Sequence, residues 1–415
     1  MPQRAADRVR PRVEADCPAA AAALHALAEV VLGQGGALLP GTVFRVDGGQ
    51  LTVHRAIAPE SAAPDPAPLI AVPAACLPPV GAFRVTLNRG RLDAARVSRG
   101  PAATALQARA FAAMLDLYNA LEKSWQWSRQ SPWLTLWDDP ALLGHLAHAD
   151  APFGQPRALA LYRAGAWRRL LVGSFLRSRA FALRPQPGGP THEVLLPLLD
   201  ALDHHDAAGR FVQGARPGRG GDRVPVVQAP QTRPVSGSDA CRVAYNVLDA
   251  RLALLHYGFL DTSAPYVLSV PVRVPLAHGA HLCVLSATGR YQEPLAPGLE
   301  LLRPWLPRVL RAPPEVLAVT RLPIPPAGEV GKLHAVLRLL IARRWPHRDE
   351  AWCAEAAARA AGVLLAANRR DHARMAELLQ RAHARSGRGD LPGRRATLSA
   401  LDRLLARAAA HFPPA

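Results

Sequence analysis

Carboxylate and imidazole side chains crowd into one short stretch of this 415-residue chain. Oxygen and nitrogen donors of this kind could bind a metal ion and support a metal-dependent hydrolase, and the set comprises His192, Asp200, Asp203, His204, His205 and Asp206. Their spacing fits no common metal signature, because the adjacent His204 and His205 cannot both face one ion from a regular element. Metal-dependent hydrolysis therefore ranks below the interpretations that follow.

Two motifs in and beyond this stretch indicate a different chemistry. The segment with Asp200, Asp203 and His204 is followed further along the chain by Tyr245 and by a leucine-rich run that ends in Tyr-Gly-Phe259. Together they resemble the split active site of the SET-domain protein methyltransferases. In that family an Asp-x-x-Asn-His turn holds the cofactor and a later tyrosine lies beside the reacting methyl group. The pattern is most similar to the branch of the Rubisco large-subunit methyltransferase and the actin histidine methyltransferase.

Two further segments extend the resemblance. Ser178-Arg179-Ala-Phe181 looks like the Ser-Arg-x-Phe that ends the helix before the cofactor turn in that branch. Near the amino end, Asp47-Gly48-Gly49 is similar to the Gly-rich turn of the family's opening hairpin, and a later run ends in Val-Pro73, as the family's next strand does. Because the segments occur in the family's order, they are more specific together than singly.

The resemblance implies S-adenosylmethionine as cofactor, no metal, and transfer of a methyl group to a lysine or histidine side chain of a protein or peptide. Such an in-line displacement depends on positioning. The oxygen of Tyr245 would accept weak C–H···O contacts from the methyl group, Tyr257 would orient the acceptor nitrogen, and Phe259 would wall the substrate channel. The implied catalytic residues are thus Tyr245 and Tyr257, and the implied substrate-binding residues are Tyr257 and Phe259. Without the motifs, both tyrosines would be interpreted as half-buried strand aromatics.

The implied cofactor-binding residues have charges that complement the carboxylate and the ammonium of the cofactor's amino-acid part. Arg179 suits the carboxylate through a charge-assisted hydrogen bond, oxygens of Asp200 and Asp203 suit the ammonium, and glycines let the backbone approach closely. The full set is Asp47, Gly48, Gly49, Arg179, Asp200, Asp203, His204 and Tyr245.

Two positions depart from the family's pattern. Asp203 stands where the family has Asn, and Ala250 stands where an Asn is expected after Tyr245. The first change adds a negative charge, and the second removes a buried amide worth on the order of 1 to 3 kcal/mol if its partners stay unpaired. A catalytically weakened, SET-like protein-binding module is therefore the second interpretation.

The sequence patterns around these residues predict an α+β fold. Short β-rich runs separated by Gly and Pro predict an antiparallel hairpin over 43–58, apolar residues at helical spacing predict helices across 103–181, and a Gly/Arg-rich loop is expected over 214–221. We predict a flexible arm over 1–17, a SET-like catalytic domain over 18–296 with a helical insert at about 101–182, and an all-helical substrate-binding domain over 297–415.

The amino-acid composition limits the kinds of partner that this chain is expected to bind. The formal net charge is +18, but nearly all of it is dispersed arginine, because Lys123 and Lys332 are the only lysines. Without an aromatic ladder, this favours a solvated surface over nucleic-acid binding. The five cysteines are scattered and never form a C-x-x-C pair, so they indicate neither a disulfide scaffold nor a zinc cluster. No apolar run suffices to span a bilayer, and a cytoplasmic location is expected. The oligomeric state and the target protein stay open.

Overall fold

The computed structural model describes residues 11–55, 67–97, 102–148, 155–183, 191–217, 223–230, 239–285, 302, 304–387 and 391–412. In chain order, the strands β1 to β19 are Arg12–Ala15, Ala37–Leu38, Thr42–Asp47, Gln50–Arg55, Ile70–Pro73, Phe83–Asn88, Arg91–Arg96, Ala180–Leu183, His192–Leu195, Asp203–His204, Val212–Pro217, Arg223–Ala229, Arg242–Val243, Val267–Leu268, Val272–Pro275, His281–Leu285, Arg308–Leu310, Val316–Thr320 and Pro323–Ile324. The helices α1 to α11 are Pro18–Gly33, Ala105–Ala120, Lys123–Gln130, Pro132–Thr135, Pro140–His148, Gln155–Arg163, Trp167–Arg177, Ala250–Tyr257, Val330–Arg344, Glu350–Arg385 and Arg394–Ala408.

The chain divides into two compact units. The first comprises residues 1–127 and 168–246, and the second comprises residues 128–167 and 247–415. Helices and mostly antiparallel sheets occur in both units, so the predicted α+β class is confirmed. The domain boundaries expected from the sequence stay predictions, and two of them, at 101 and at 296, lie outside the described residues.

The first unit is built from small sheets and a helix pair. Strands β3 and β4 form the expected antiparallel hairpin, which β1 extends in parallel, and a separate sheet has the order β11-β12-β5-β2. Helix α2 begins with a capping box, in which the Thr104 hydroxyl accepts from the Gln107 backbone N–H and the Gln107 side chain accepts from the Thr104 backbone N–H. Its buried face, which includes Phe111, Met114 and Tyr118, packs against α1.

One expectation in this unit is wrong. The Gly/Arg-rich segment after Val212 forms strand β11 as far as Pro217, where a loop was expected, and residues 218–222 lie outside the described residues. Pairing with β12 supplies hydrogen-bonding partners that outweigh the low strand propensity of Gly214.

The second unit joins a four-stranded sheet to long helices. The sheet has the order β15-β16-β18-β17, and α9 and α10 contribute to one apolar core with it. That core includes Val274, Leu282, Val319, Leu337, Ile341 and Leu364. A C-terminal helical region is confirmed, and it runs from Val330 onward because β17, β18 and β19 occupy parts of residues 308–324. None of the described helices is both long and apolar enough to cross a membrane.

Candidate functional site

The β3–β4 hairpin presents a glycine turn at one side of the site. Gly48 and Gly49 both have positive φ, at 55° and 74°, as a two-residue type I′ turn requires. The backbone N–H of Gly48 donates to Asp16 Oδ2 at 2.8 Å. Asp47, the acid predicted from the sequence, ends β3 with an exposed side chain. The acceptor that fixes this turn is therefore Asp16.

An amide side chain ties this turn to the start of α3. Gln126 Nε2 donates to Gly49 O at 3.2 Å and to Leu121 O at 2.9 Å. The ammonium of Lys123 donates to Gln126 Oε1 at 3.2 Å and to Gln50 Oε1 at 3.3 Å. Lys123 is thus held beside the glycine turn by two neutral amide oxygens.

The guanidinium of Arg179 is held just beyond the end of α7. Arg179 Nη1 donates to Ser178 Oγ at 2.8 Å and to Phe175 O at 3.3 Å, and its charged carbon lies 3.9 Å from the centre of the Phe175 ring. Such cation–π stacking stabilises a partly desolvated cation. Its Nε is buried 3.4 Å from Asp200 Oδ2, which makes the pair an ion pair.

A strained turn delivers Asp200 to this ion pair. Leu198 has φ +62° and ψ −38°, and the N–H of Leu199 donates to Pro197 O at 2.7 Å, so Leu198 is the centre of a γ-turn of the rare positive-φ kind. Such strain persists only where surrounding packing enforces it, and Leu198 is buried. The Asp200 carboxylate then accepts from the Tyr118 hydroxyl at 2.8 Å.

The charged side chains around Arg179 and Asp200 shift one another's pKa values. Burial first and Arg179 second lower the pKa of Lys123 to about 8, while Asp200 and Asp203 oppose the change. Burial likewise raises the pKa of Asp200, against the effects of Arg179, Tyr118 and Lys123. The pKa of Tyr118 is raised well above its ordinary value by burial and by the negative charge of Asp200. Tyr118 is therefore a hydrogen-bond donor at neutral pH.

Asp203 lies on the solvent side of this group. Its side chain is solvent-exposed. Neighbouring atoms nevertheless desolvate the carboxyl group in part and raise its pKa, against the effects of Arg242 and Lys123. Since solvent reaches this carboxylate, we treat it as ionised at neutral pH.

The histidine and the tyrosine of the two motifs meet across a short parallel ladder. Asp203 and His204 form β10, which pairs with Arg242 and Val243 of β13. The Tyr245 backbone N–H donates to His204 Nδ1 at 3.0 Å, so the neutral ring carries its hydrogen on Nε2. Buried His204 thus braces Tyr245 through its ring nitrogen.

The hydroxyl of Tyr245 has a fixed direction. It donates to Leu202 O at 2.6 Å, and the ring stacks nearly parallel to Phe211 with 6.4 Å between centroids. Because the hydrogen is committed to a carbonyl, the lone pairs of the oxygen face away from Leu202. The half-buried oxygen can therefore act as an acceptor.

The Tyr-Gly-Phe motif falls in the second unit. Tyr257 ends α8, and Gly258 follows with φ +73°, so the glycine terminates the helix. The rings of Tyr257 and Phe259 are half-buried, 6.0 Å apart. Their substrate-binding roles, and the catalytic role of Tyr257, stay predictions.

Ala250, one of the two positions that depart from the resembling pattern, also lies in this unit. Ala250 is the buried first residue of α8, and the residue before it, Asp249, supplies the polar group. The Asp249 carboxylate accepts from the backbone N–H groups of Leu252 and Leu268, at 2.9 Å and 2.8 Å. The change to alanine therefore leaves this helix start with a buried acceptor one residue earlier.

The acid and histidine cluster does not assemble as a metal site. Within the described ranges, no group of three or more His, Cys, Asp or Glu side chains is arranged to hold an ion. Asp200 instead contacts Tyr118 and Arg179, and His204 Nδ1 accepts from Tyr245.

Several members of the site carried no motif in the sequence. Tyr118 looked like one apolar position of a helix, although a buried tyrosine hydroxyl usually finds a partner. Lys123 was visible as a rare lysine, and that rarity was its only signal. Asp16 and Gln126 lie on elements distant in sequence from the residues they contact, so no local pattern marked them.

No family model and no curated protein matches this chain. Among solved structures, the chain is similar to the SET domain of LSMT bound to lysine and AdoHcy, with 12% sequence identity and a TM-score of 0.35 over 95% of this chain and 93% of that one. At this level, the likeness alone defines neither the family nor the function of this chain.

Proposed function

We propose that this chain transfers a methyl group from S-adenosylmethionine to a lysine or histidine side chain of a protein or peptide. The observation that carries the proposal is the direction of the Tyr245 hydroxyl, whose hydrogen is donated to Leu202 O, so that toward a methyl group its oxygen can act only as an acceptor. This is the arrangement that an oxygen needs to receive C–H···O contacts from a methyl group.

The donor set of the first unit fits the cofactor's amino-acid part. A carboxylate needs cations, and Arg179 and Lys123 lie close enough to interact electrostatically. An ammonium needs anionic or carbonyl oxygens, and Asp200 and Asp203 belong to the same electrostatic group. The Gly48–Gly49 turn adds a backbone surface without Cβ atoms at its edge.

S-adenosylmethionine, when bound, supplies an electrophilic methyl group, so that a neutral nitrogen forms the new C–N bond while the C–S bond breaks and sulfur keeps the electron pair. Tyr245 orients the methyl group by accepting its polarised hydrogens, and its ring and Phe211 exclude water from one side. His204 fixes the backbone of Tyr245, and the ladder of β10 and β13 fixes both. Positioning of this kind is the main contribution an enzyme makes to such a displacement.

Acceptor binding belongs to Tyr257 and Phe259 in this proposal, and docking of the target protein belongs to the C-terminal helical region. The half-buried aromatic rings suit the apolar stem of a lysine or the ring of a histidine.

Two measurements test the proposal on the full chain. Calorimetric titration of chelator-treated protein with S-adenosylhomocysteine should show one metal-independent site. Incubation of a cell extract with isotopically labelled S-adenosylmethionine, followed by mass spectrometry, should locate the label on a lysine or histidine. No binding at millimolar ligand would refute the proposal, whereas binding without transfer to any protein would favour the protein-binding module.

A further inference from the structure

The ammonium of Lys123 forms no direct ion pair with a carboxylate in the described part of the chain. It donates instead to the neutral amide oxygens of Gln50 and Gln126. The other lysine, Lys332, is exposed and pairs with Glu329. Asp200 and Asp203 compensate the half-buried charge of Lys123 only in part and without direct contact, so an anionic ligand would complete the compensation.

The neighbouring cation is already engaged. Arg179 forms an ion pair with Asp200, stacks on Phe175 and donates to Ser178. Asp200 in turn accepts from Tyr118, which holds the carboxylate in place. Arg179 therefore offers a largely neutralised guanidinium, whereas Lys123 offers a full positive charge.

Lys123 also connects the glycine turn with the charged group of Arg179, Asp200 and Asp203. Its hydrogen bonds join it to the Gly48–Gly49 turn through Gln126, and it interacts electrostatically with Arg179, Asp200 and Asp203. Its lowered pKa reflects burial first and Arg179 second, so an incoming anion would restore the charge that the site disfavours.

We infer that Lys123 binds the carboxylate of the cofactor's amino-acid part, with Arg179 as the second cation and with Asp200 and Asp203 facing the ammonium. This inference rests on the proposed function and adds to it a cofactor-binding residue that no sequence motif marks. The specificity it gives is for ligands that carry an α-carboxylate.

The test compares two ligands that share the nucleoside and the thioether. S-adenosylhomocysteine carries the amino-acid group, and 5′-methylthioadenosine lacks it. Calorimetry is performed with the wild type, Lys123→Met, Lys123→Arg and, as the matched control, Lys332→Met. We expect Lys123→Met to weaken S-adenosylhomocysteine binding about tenfold or more, because a charge-assisted hydrogen bond is lost, and to leave methylthioadenosine binding unchanged. Lys123→Arg should retain part of the affinity, and Lys332→Met all of it.

The possible outcomes separate the two claims. Unchanged S-adenosylhomocysteine affinity in Lys123→Met, or an equal loss for both ligands, overturns the role of Lys123 while the proposed function stands. Failure of the wild type to bind S-adenosylhomocysteine overturns both. Retained methylthioadenosine binding by the variant shows that it is folded.

Discussion

At the scale of single residues, Tyr245 connects the two motifs through its hydrogen bonds to His204 and Leu202. Its backbone N–H is bound by His204 and its hydroxyl by the carbonyl of Leu202, so both the position and the rotation of the phenol are set by the segment that carries the acidic turn. A second tyrosine, Tyr162, donates its hydroxyl to Trp137 O at 2.7 Å and has no place in the candidate site. The two residues form a matched pair for mutation.

We predict that Tyr245→Phe lowers turnover by about tenfold or more while the affinity for S-adenosylhomocysteine stays nearly constant, because the lost oxygen acts on the methyl group rather than on the ligand as a whole. Tyr162→Phe loses the same type of hydroxyl-to-carbonyl bond and should keep wild-type turnover. Single-turnover assays and calorimetry measure the two effects. Full activity of Tyr245→Phe would make this tyrosine purely structural.

The charge of Lys123 should have a measurable cost in stability. Its pKa falls from 10.5 to about 8, so below pH 8 the folded protein holds a disfavoured charge that the unfolded chain carries freely. The groups that face it are Arg179, Asp200 and Asp203, and the two carboxylates lose a favourable partner when it is removed.

We therefore predict that Lys123→Met increases the free energy of unfolding of the ligand-free protein by about 1 to 2 kcal/mol at pH 7, a value reduced for partial solvent screening. The unfolded chain binds the extra proton between about pH 8 and pH 10.5, so wild-type stability gains on the variant as pH rises through that range. Denaturant titrations at several pH values measure the difference. A constant difference would contradict the titration of Lys123.

Two hairpins of the first unit allow a comparison at the scale of elements. The β3–β4 turn has Gly49 at φ +74°, and the β6–β7 turn has Gly90 at φ +82°. A Cβ added at Gly49 would lie 2.9 Å from Gln126 Nε2, whereas one added at Gly90 would have nothing within 4 Å. A side chain at either glycine would carry backbone strain, but only one at Gly49 would also contact Gln126.

We predict that Gly49→Ala and Gly90→Ala each destabilise the protein by about 1 to 2 kcal/mol, because both place an L-residue in left-handed backbone. Only Gly49→Ala should also weaken S-adenosylhomocysteine binding, because the displaced Gln126 no longer supports Lys123. Thermal unfolding and calorimetry separate the two effects. Equal loss of affinity in both variants would indicate a general distortion instead.

Two helices of the second unit begin with an aspartate cap, and the caps differ in the number of backbone N–H groups they accept from. Asp249 is buried and accepts from two backbone N–H groups, one of α8 and one of β14. At the start of α10, the Asp349 carboxylate accepts from the N–H of Trp352 at an exposed position, and it accepts from no second backbone N–H among the described residues.

We predict that Asp249→Ala lowers the free energy of unfolding by about 2 to 4 kcal/mol, because a partly buried donor in β14 is left unpaired in addition to the lost cap. Asp349→Ala should cost about 1 kcal/mol, the usual value for a cap alone. Urea titration measures both. Similar costs would show that the bond to Leu268 contributes little.

At the scale of the molecule, each unit carries a different part of the proposed activity. The first holds the predicted cofactor-binding residues together with Tyr245, and the second holds Tyr257, Phe259 and the C-terminal helical region. Helix α10 exposes Arg369 and Arg370, whose charge would attract an acidic protein surface.

We predict that the double change Arg369→Glu and Arg370→Glu weakens methylation of an intact protein target at low salt, raising KM severalfold, and leaves cofactor affinity unchanged. The control is Arg343→Glu with Arg403→Glu, which alters the net charge equally at exposed positions of α9 and α11. Initial rates with the whole target and with a short peptide measure the effect. If the two double variants behave alike, the effect belongs to net charge and not to docking.

The sequence by itself determined the local elements and the order of the motifs. The short β-rich runs that predict the β3–β4 hairpin, the glycines at its turn and the apolar spacing of α2 are local patterns of a few residues, so they need no knowledge of the rest of the chain. The same locality explains the wrong expectation for the Gly/Arg-rich segment, since strand β11 forms by pairing with β12, which lies outside that segment.

Only the tertiary structure decided which side chains meet. Tyr118 reaches Asp200, Lys123 joins the glycine turn, and His204 accepts from Tyr245 across many intervening residues. The lowered pKa of Lys123 likewise depends on burial and on Arg179, which are properties of the folded arrangement. Desolvation and Coulomb interactions depend on distance in space, and a linear pattern does not contain those distances.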